Sequence, residues 1–167
     1  RTISQACDYL LDELIIHDGI DDANEKKYSI ESRLNKFGEP LGEIHELIDY
    51  GMFSPEFIVI NFILCDADPQ KYERNVLFNP KIKHIGIASS LLPSEKICTV
   101  INFCEEFFDK YETVPLEMQM KYKKQTPKYN SKTIKSYNNQ KKVDNKSDEI
   151  DFDDDNYLQQ YDYKRKG

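Results

Sequence analysis

The sequence predicts an α+β domain, with helices first and antiparallel strands later, followed by an extended irregular C-terminal tail. Three observations carry that expectation. Apolar residues recur at helical spacing near the start of the chain, and a capped, almost wholly apolar segment follows Ser54. Two segments after Lys81 are short, rich in β-branched residues and bounded by turn residues or prolines. Beyond Met120 no apolar cluster able to form a core remains. The 167 residues divide into a domain over 1–120 and a tail over 121–167.

Residues 2–16 place Ile3, Ala6, Cys7, Leu10, Leu11, Leu14 and Ile15 on one helical face. Residues 18–27 are polar and acidic and read as a surface loop. HDGIDD within it lacks the alternating ligands and closing glutamate of an EF-hand. Ser29 to Phe37 is a short helix with Ile30, Leu34 and Phe37 inward, ending near Gly38. Gly42 to Tyr50 reads as a turn followed by a short helix or strand. Ser54-Pro55-Glu56 supplies an N-cap hydroxyl, a first-turn proline and an acid at the positive end of the helix dipole. From Phe57 to Leu64 only Asn61 is polar, so this helix is expected to be buried on most sides. Ile82–Ala88 and Lys96–Phe103 are the strands, and Glu105 to Tyr111 closes the domain.

The passage after the apolar helix carries a motif. It reads Tyr72-Glu73-Arg74-Asn75-Val76-Leu77-Phe78-Asn79-Pro80, then Lys83-His84-Ile85-Gly86-Ile87-Ala88. This resembles the GHR-x-N-I-x-N-P loop and following xxGIG strand of the CAP superfamily, the cysteine-rich secretory, antigen 5 and pathogenesis-related proteins. Glu46-Leu47-Ile48-Asp49-Tyr50-Gly51 is similar to the family's G-E-N-I-x-x-G element, Ile16-His17-Asp18-Gly19 to its first site histidine, and Cys98–Phe103 to its final strand. The resemblance covers about Ile3 to Phe108 and implies a three-layer α-β-α sandwich.

The CAP cleft usually holds two histidines and two acids, which in some members bind a divalent metal. Carried over, His17 matches the first histidine and Glu46 the first acid. Glu73 stands where the second histidine belongs. Asp66 is the nearest counterpart of the second acid; His45 and Leu47 replace the residues flanking the first. Exchanging an imidazole for a carboxylate shifts a surviving site toward harder cations. The expectation is a degenerate cleft with no catalytic residue, metal or cofactor. His17 and His45 are then ordinary surface or hydrogen-bonded histidines.

The formal net charge of −7 is unevenly spread, because residues 121–167 carry a balance of +4. An acidic body argues against broad nucleic-acid contact. The longest apolar run, Phe57 to Cys65, is interrupted by Asn61 and too short to cross a bilayer, and no segment reads as a signal peptide. Cys7, Cys65, Cys98 and Cys104 form no dense disulfide framework. They read as small buried hydrophobes in a reducing compartment. Ser89-Ser90 lacks the G-x-S-x-G elbow of a serine nucleophile.

In the tail, nine lysines and one acid over Lys121–Lys146 give way to seven acids and no base over Ser147–Tyr163. Six of the eleven tyrosines lie there, Tyr122 among them. Such a segment orders only by lying on something. Lys123, Lys124, Lys128, Tyr129, Tyr137, Tyr157 and Tyr161 are the expected contacts with a protein partner. The function expected is therefore that of a non-enzymatic structural or adaptor protein, built through its tail into a large assembly. A microtubule lattice of the ciliary axoneme, with tubulin or other axonemal proteins as partners, suits the charge blocks and the absence of secretory character. The expected location is cytoplasmic or ciliary, with secretion as the alternative; no nucleic acid or membrane is involved. The alternatives implied by the resemblance are a lipid-, sterol- or metal-binding module and, less in keeping with the missing histidine, a peptidase.

Overall fold

In a computed structural model, the described residues are 1–17, 28–51, 54–65 and 68–123. The first element, α1 (Thr2–His17), buries Ile3, Ala6, Cys7, Leu10, Leu11 and Leu14, the face given by its apolar spacing. In α2 (Ile30–Phe37), Ser29 is the N-cap, its Oγ accepting from the Ser32 amide at 3.3 Å. The helix ends at Gly38, whose N–H returns to the Leu34 carbonyl. The chain then runs directly into β1 (Gly38–Tyr50). Of the two readings held open for residues 42–50, strand is the one adopted.

The apolar segment forms α3 (Pro55–Leu64), capped at its C-terminus by Cys65 in the left-handed region, and α4 (Tyr72–Leu77) follows it. The late strands are β2 (His84–Leu91) and β3 (Ile97–Asp109), and α5 (Leu116–Tyr122) comes after them. β3 runs through Glu105 to Asp109 instead of ending at Phe103. Tyr122, counted above with the tail, is buried within α5.

The three strands make one antiparallel sheet in the order β1-β3-β2. On one face, α1 and α2 cover Ile44, Ala88, Cys98, Val100 and Cys104. α1 crosses β2 so closely that a Cβ at Gly86 would lie 2.5 Å from Ile3. Only glycine permits that approach, and Ser4 Oγ accepts the Ile87 amide beside it at 3.0 Å. On the other face, Ile58 and Phe62 of α3 and Val76 of α4 pack on Leu47, Ile101 and Phe103.

The expectation that α3 is buried on most sides needs correction. Only Ile58 and Phe62 are buried along it, while Phe57, Val59, Ile60 and Leu64 are about half exposed. One stripe of the helix meets the sheet, and nothing among the described residues covers the rest.

Candidate functional site

The residues expected to share a cleft lie in different places. Glu46 is on β1 and turns inward beneath α1 and α2, where its Oε2 accepts from Arg33 Nη2 in a salt bridge with both side chains about 1 % exposed. Arg33 is satisfied elsewhere as well: Nε donates to the Tyr28 carbonyl at 2.8 Å and Nη1 to the Ala6 carbonyl at 3.0 Å. One guanidinium thus ties α1, α2 and β1 together. Burial holds the Glu46 carboxyl above the usual carboxylate range, and the Arg33 charge and hydrogen bond offset only part of that rise. Among the described residues, Glu46 Oε1 and both amide atoms of Asn102, its cross-strand neighbour, have no hydrogen-bond partner.

Glu73 is on α4, across the sheet from α2, and its Oε2 accepts from the Cys65 thiol. His17 ends α1. The structure does not bring Glu46 and Glu73 together. Asp66, Lys124, Lys128, Tyr129, Tyr137, Tyr157 and Tyr161 lie outside the described residues, as does HDGIDD after His17; Lys123 caps α5.

A different polar group forms where β1 bulges between Leu41 and Ile44. Gly42, at φ +80°, makes the turn, and a Cβ there would press on Tyr122 and Glu105. Beyond the bulge, His45 faces α4, its Nδ1 3.2 Å from the Tyr72 hydroxyl and its Nε2 3.6 Å from Glu43 Oε2. Glu43 accepts from Asn79 Nδ2 at 2.9 Å and Lys81 Nζ at 2.6 Å. Hydrogen bonds from Lys81 and Asn79 hold its carboxyl down at about 2. The Tyr122 hydroxyl donates to Glu105 Oε1 at 2.7 Å and accepts from Lys121 Nζ at 2.7 Å. Each charge here is matched, so the group fastens α4, β1 and α5 to one another.

Cys65, Asp68 and Glu73 place a thiol and two carboxylates within 4.8 Å of one another. The thiol already donates to Glu73, and burial together with that carboxylate pushes its pKa up. Asp68 accepts the Gln70 and Tyr72 amides at 2.9 and 3.1 Å. Lys71 and Arg74 donate to carbonyls at the end of α3. A cation would have to displace the thiol proton and sit beside two positive charges, so the trio fits a metal poorly. Burial pushes Cys7, Cys98 and Cys104 up to about 12, which keeps them as neutral thiols rather than nucleophiles.

The described residues also leave apolar side chains uncovered. Besides the outer side of α3, one side of β2 is open to water, where Ile85, Ile87 and Leu91 are 54 %, 50 % and 60 % exposed. Sequence reasoning missed this surface because an all-apolar helix gives no stripe to say which side is covered. The alternation Ile85, Ile87, Ser89, Leu91 on β2 was the available signal. The chain matches no family model, no curated protein and no solved structure.

Proposed function

We propose that this chain is a non-enzymatic interaction module, a structural or adaptor protein with a CAP-like α-β-α sandwich as its body. The observation that carries this reading is the exposed apolar surface of α3 and β2. Large apolar side chains left half exposed in number on a small domain are the kind of surface that protein contacts use. The sandwich is supported by the packing of α1 and α2 on one sheet face and α3 and α4 on the other. The non-enzymatic reading is supported by Glu46 being held in an interior ion pair and by thiols kept protonated. The lysine block and tyrosines after Lys121 supply a second contact, suited to an acidic lattice such as a microtubule.

The test is size fractionation of an extract from the cells that make the protein. The native chain is expected in a high-mass fraction, and an Ile60→Asp/Ile87→Asp double variant in a lower one. Sedimentation with axonemal microtubules then asks whether that lattice is the partner. A native chain that elutes at monomer size would sink the proposal.

A further inference from the structure

The sheet face beneath α1 and α2 is crossed by a polar row. Glu46, Asn102 and Gly86 stand opposite one another on β1, β3 and β2. Asn102 alternates with Val100 and Cys104, both in the apolar clusters under the two helices, so the row faces inward. On one side the next inward row is Ile48, Val100 and Ala88, which belongs with Leu10 and Leu14. On the other side are Ile44 and Cys104, which belong with Ile3 and Leu34. The row lies where the two clusters part.

Its two side chains are enclosed without all of their bonds. Asn102 and Glu46 are buried, and among the described residues neither Glu46 Oε1 nor the Asn102 amide atoms Oδ1 and Nδ2 have a partner. The carboxylate is not free to turn toward the amide. Arg33 holds its Oε2, and Arg33 is itself fixed by the Tyr28 and Ala6 carbonyls at 2.8 and 3.0 Å. The Cys7 thiol lies close enough to feel the Glu46 charge, but it donates to the Gly86 carbonyl at 3.4 Å. Native interiors leave few polar atoms unbonded, and ordered water is the usual partner where protein groups do not reach.

We propose that this row is an interior water site, in which ordered water joins Glu46 Oε1 to the side-chain amide of Asn102. Water donates to Oε1, as a carboxylate requires, and accepts from Nδ2; Oδ1 takes a further water proton. The chemistry selects water over an ion. Arg33 and Glu46 neutralise each other, so the row draws in neither sign of charge. A larger polar ligand would have to part α1 from the strand that Ile3 and Ser4 meet at Gly86. The bridge carries the Arg33 anchor from α2 through β1 to the central strand, in the middle of a face otherwise held by apolar contact.

The experiment is nitrogen-15-edited NOESY and ROESY on the full, deuterated chain, read at the Asn102 side-chain amide. The expected result is a cross-peak to water whose NOE and ROE have opposite signs, the mark of water that tumbles with the protein. It should persist in Cys7→Ala, which removes relay through the thiol proton. Oxygen-17 relaxation dispersion then counts long-lived waters, and Asn102→Leu should lower that count with circular dichroism unchanged. An absent cross-peak, or NOE and ROE of like sign as surface water and proton exchange give, overturns the site. So does a cross-peak lost in Cys7→Ala, or a folded Asn102→Leu protein with an undiminished count. Should Asn102→Leu fail to fold, the cross-peak in the parent and in Cys7→Ala decides alone.

Discussion

On the α1 and α2 face of the sheet, apolar side chains are almost wholly out of water, and the Arg33–Glu46 ion pair there is fully enclosed. On the α3 and α4 face, the sheet is covered over β1 and β3 but not over β2, and Phe57, Val59, Ile60 and Leu64 of α3 stay about half exposed. Both faces belong to the same three strands, although α3 is far more apolar along its length than α1 or α2. What differs is the ratio of cover to sheet. α1 has 16 residues and reaches the edge strand, crossing at Gly86, whereas α3 has 10 and α4 has 6. The lesson is that a sheet face closes only where its helices span all of its strands, and shorter helices leave apolar side chains in water.

The largest effects should come from breaking the closed face. Glu46→Ala leaves Arg33 buried without its counter-charge, and a loss of about 3–5 kcal/mol is expected in urea unfolding. Replacing both partners with aliphatic side chains should recover most of that loss, because neither charge is then stranded. Leu10→Ala, at 1 % exposure, should cost about 2–5 kcal/mol through lost burial and the cavity left behind. Gly86→Ala forces α1 away from β2 and should cost about 1–3 kcal/mol by the same measurement. A Gly86→Ala protein as stable as the parent would mean that α1 does not rest on β2 as described.

These contrasts also show what the chain made legible. α1 was readable because its apolar residues fall on one stripe and its polar residues on the other. α3 was readable as a helix from its cap and proline. Its surroundings were not, since seven apolar residues in eight positions give no contrast between sides. β1 was ambiguous because Glu46, an acid, faces the interior while His45 faces α4. Only Arg33, brought in from another helix, makes an inward acid tolerable, and local pattern cannot foresee a tertiary partner. The acids at Glu105 and Glu106 looked like the end of a strand. Tyr122 and Lys83 hold them within one. The motif residues in their expected order said nothing about which side of a sheet each would occupy, which is why Glu46 and Glu73 part company.

An intermediate effect belongs to the hinge of charges at the open face's far end. The Glu43 carboxyl is held at about 2, against 4.5 for an unperturbed group, chiefly by hydrogen bonds from Lys81 and Asn79. A depressed carboxyl favours the folded state above its unfolded pKa and loses that contribution as pH falls from about 4.5 through about 2. Melting temperatures of the parent and a Glu43→Gln variant should therefore differ near pH 7 and converge by about pH 2. Lys81→Ala should shrink the difference at neutral pH. Parallel curves across that range would show that Glu43 is not the group titrating.

The smallest effect on stability is also the one that separates the two faces most sharply. Ile60 is 48 % exposed, so Ile60→Asp removes little apolar burial from the monomer and inserts a charge where water already reaches. Its unfolding free energy in dilute solution should shift by no more than about 0.5 kcal/mol. Near 200 μM a parent that associates through this surface would gain apparent stability that Ile60→Asp does not. Chemical unfolding at two protein concentrations therefore reads the open face directly. Concentration dependence in the parent but not in Ile60→Asp means that the surface is covered when copies are plentiful. Two variants that behave alike at both concentrations would mean that α3's outer side is simply a solvated surface, and the asymmetry between the faces would then be structural without being functional.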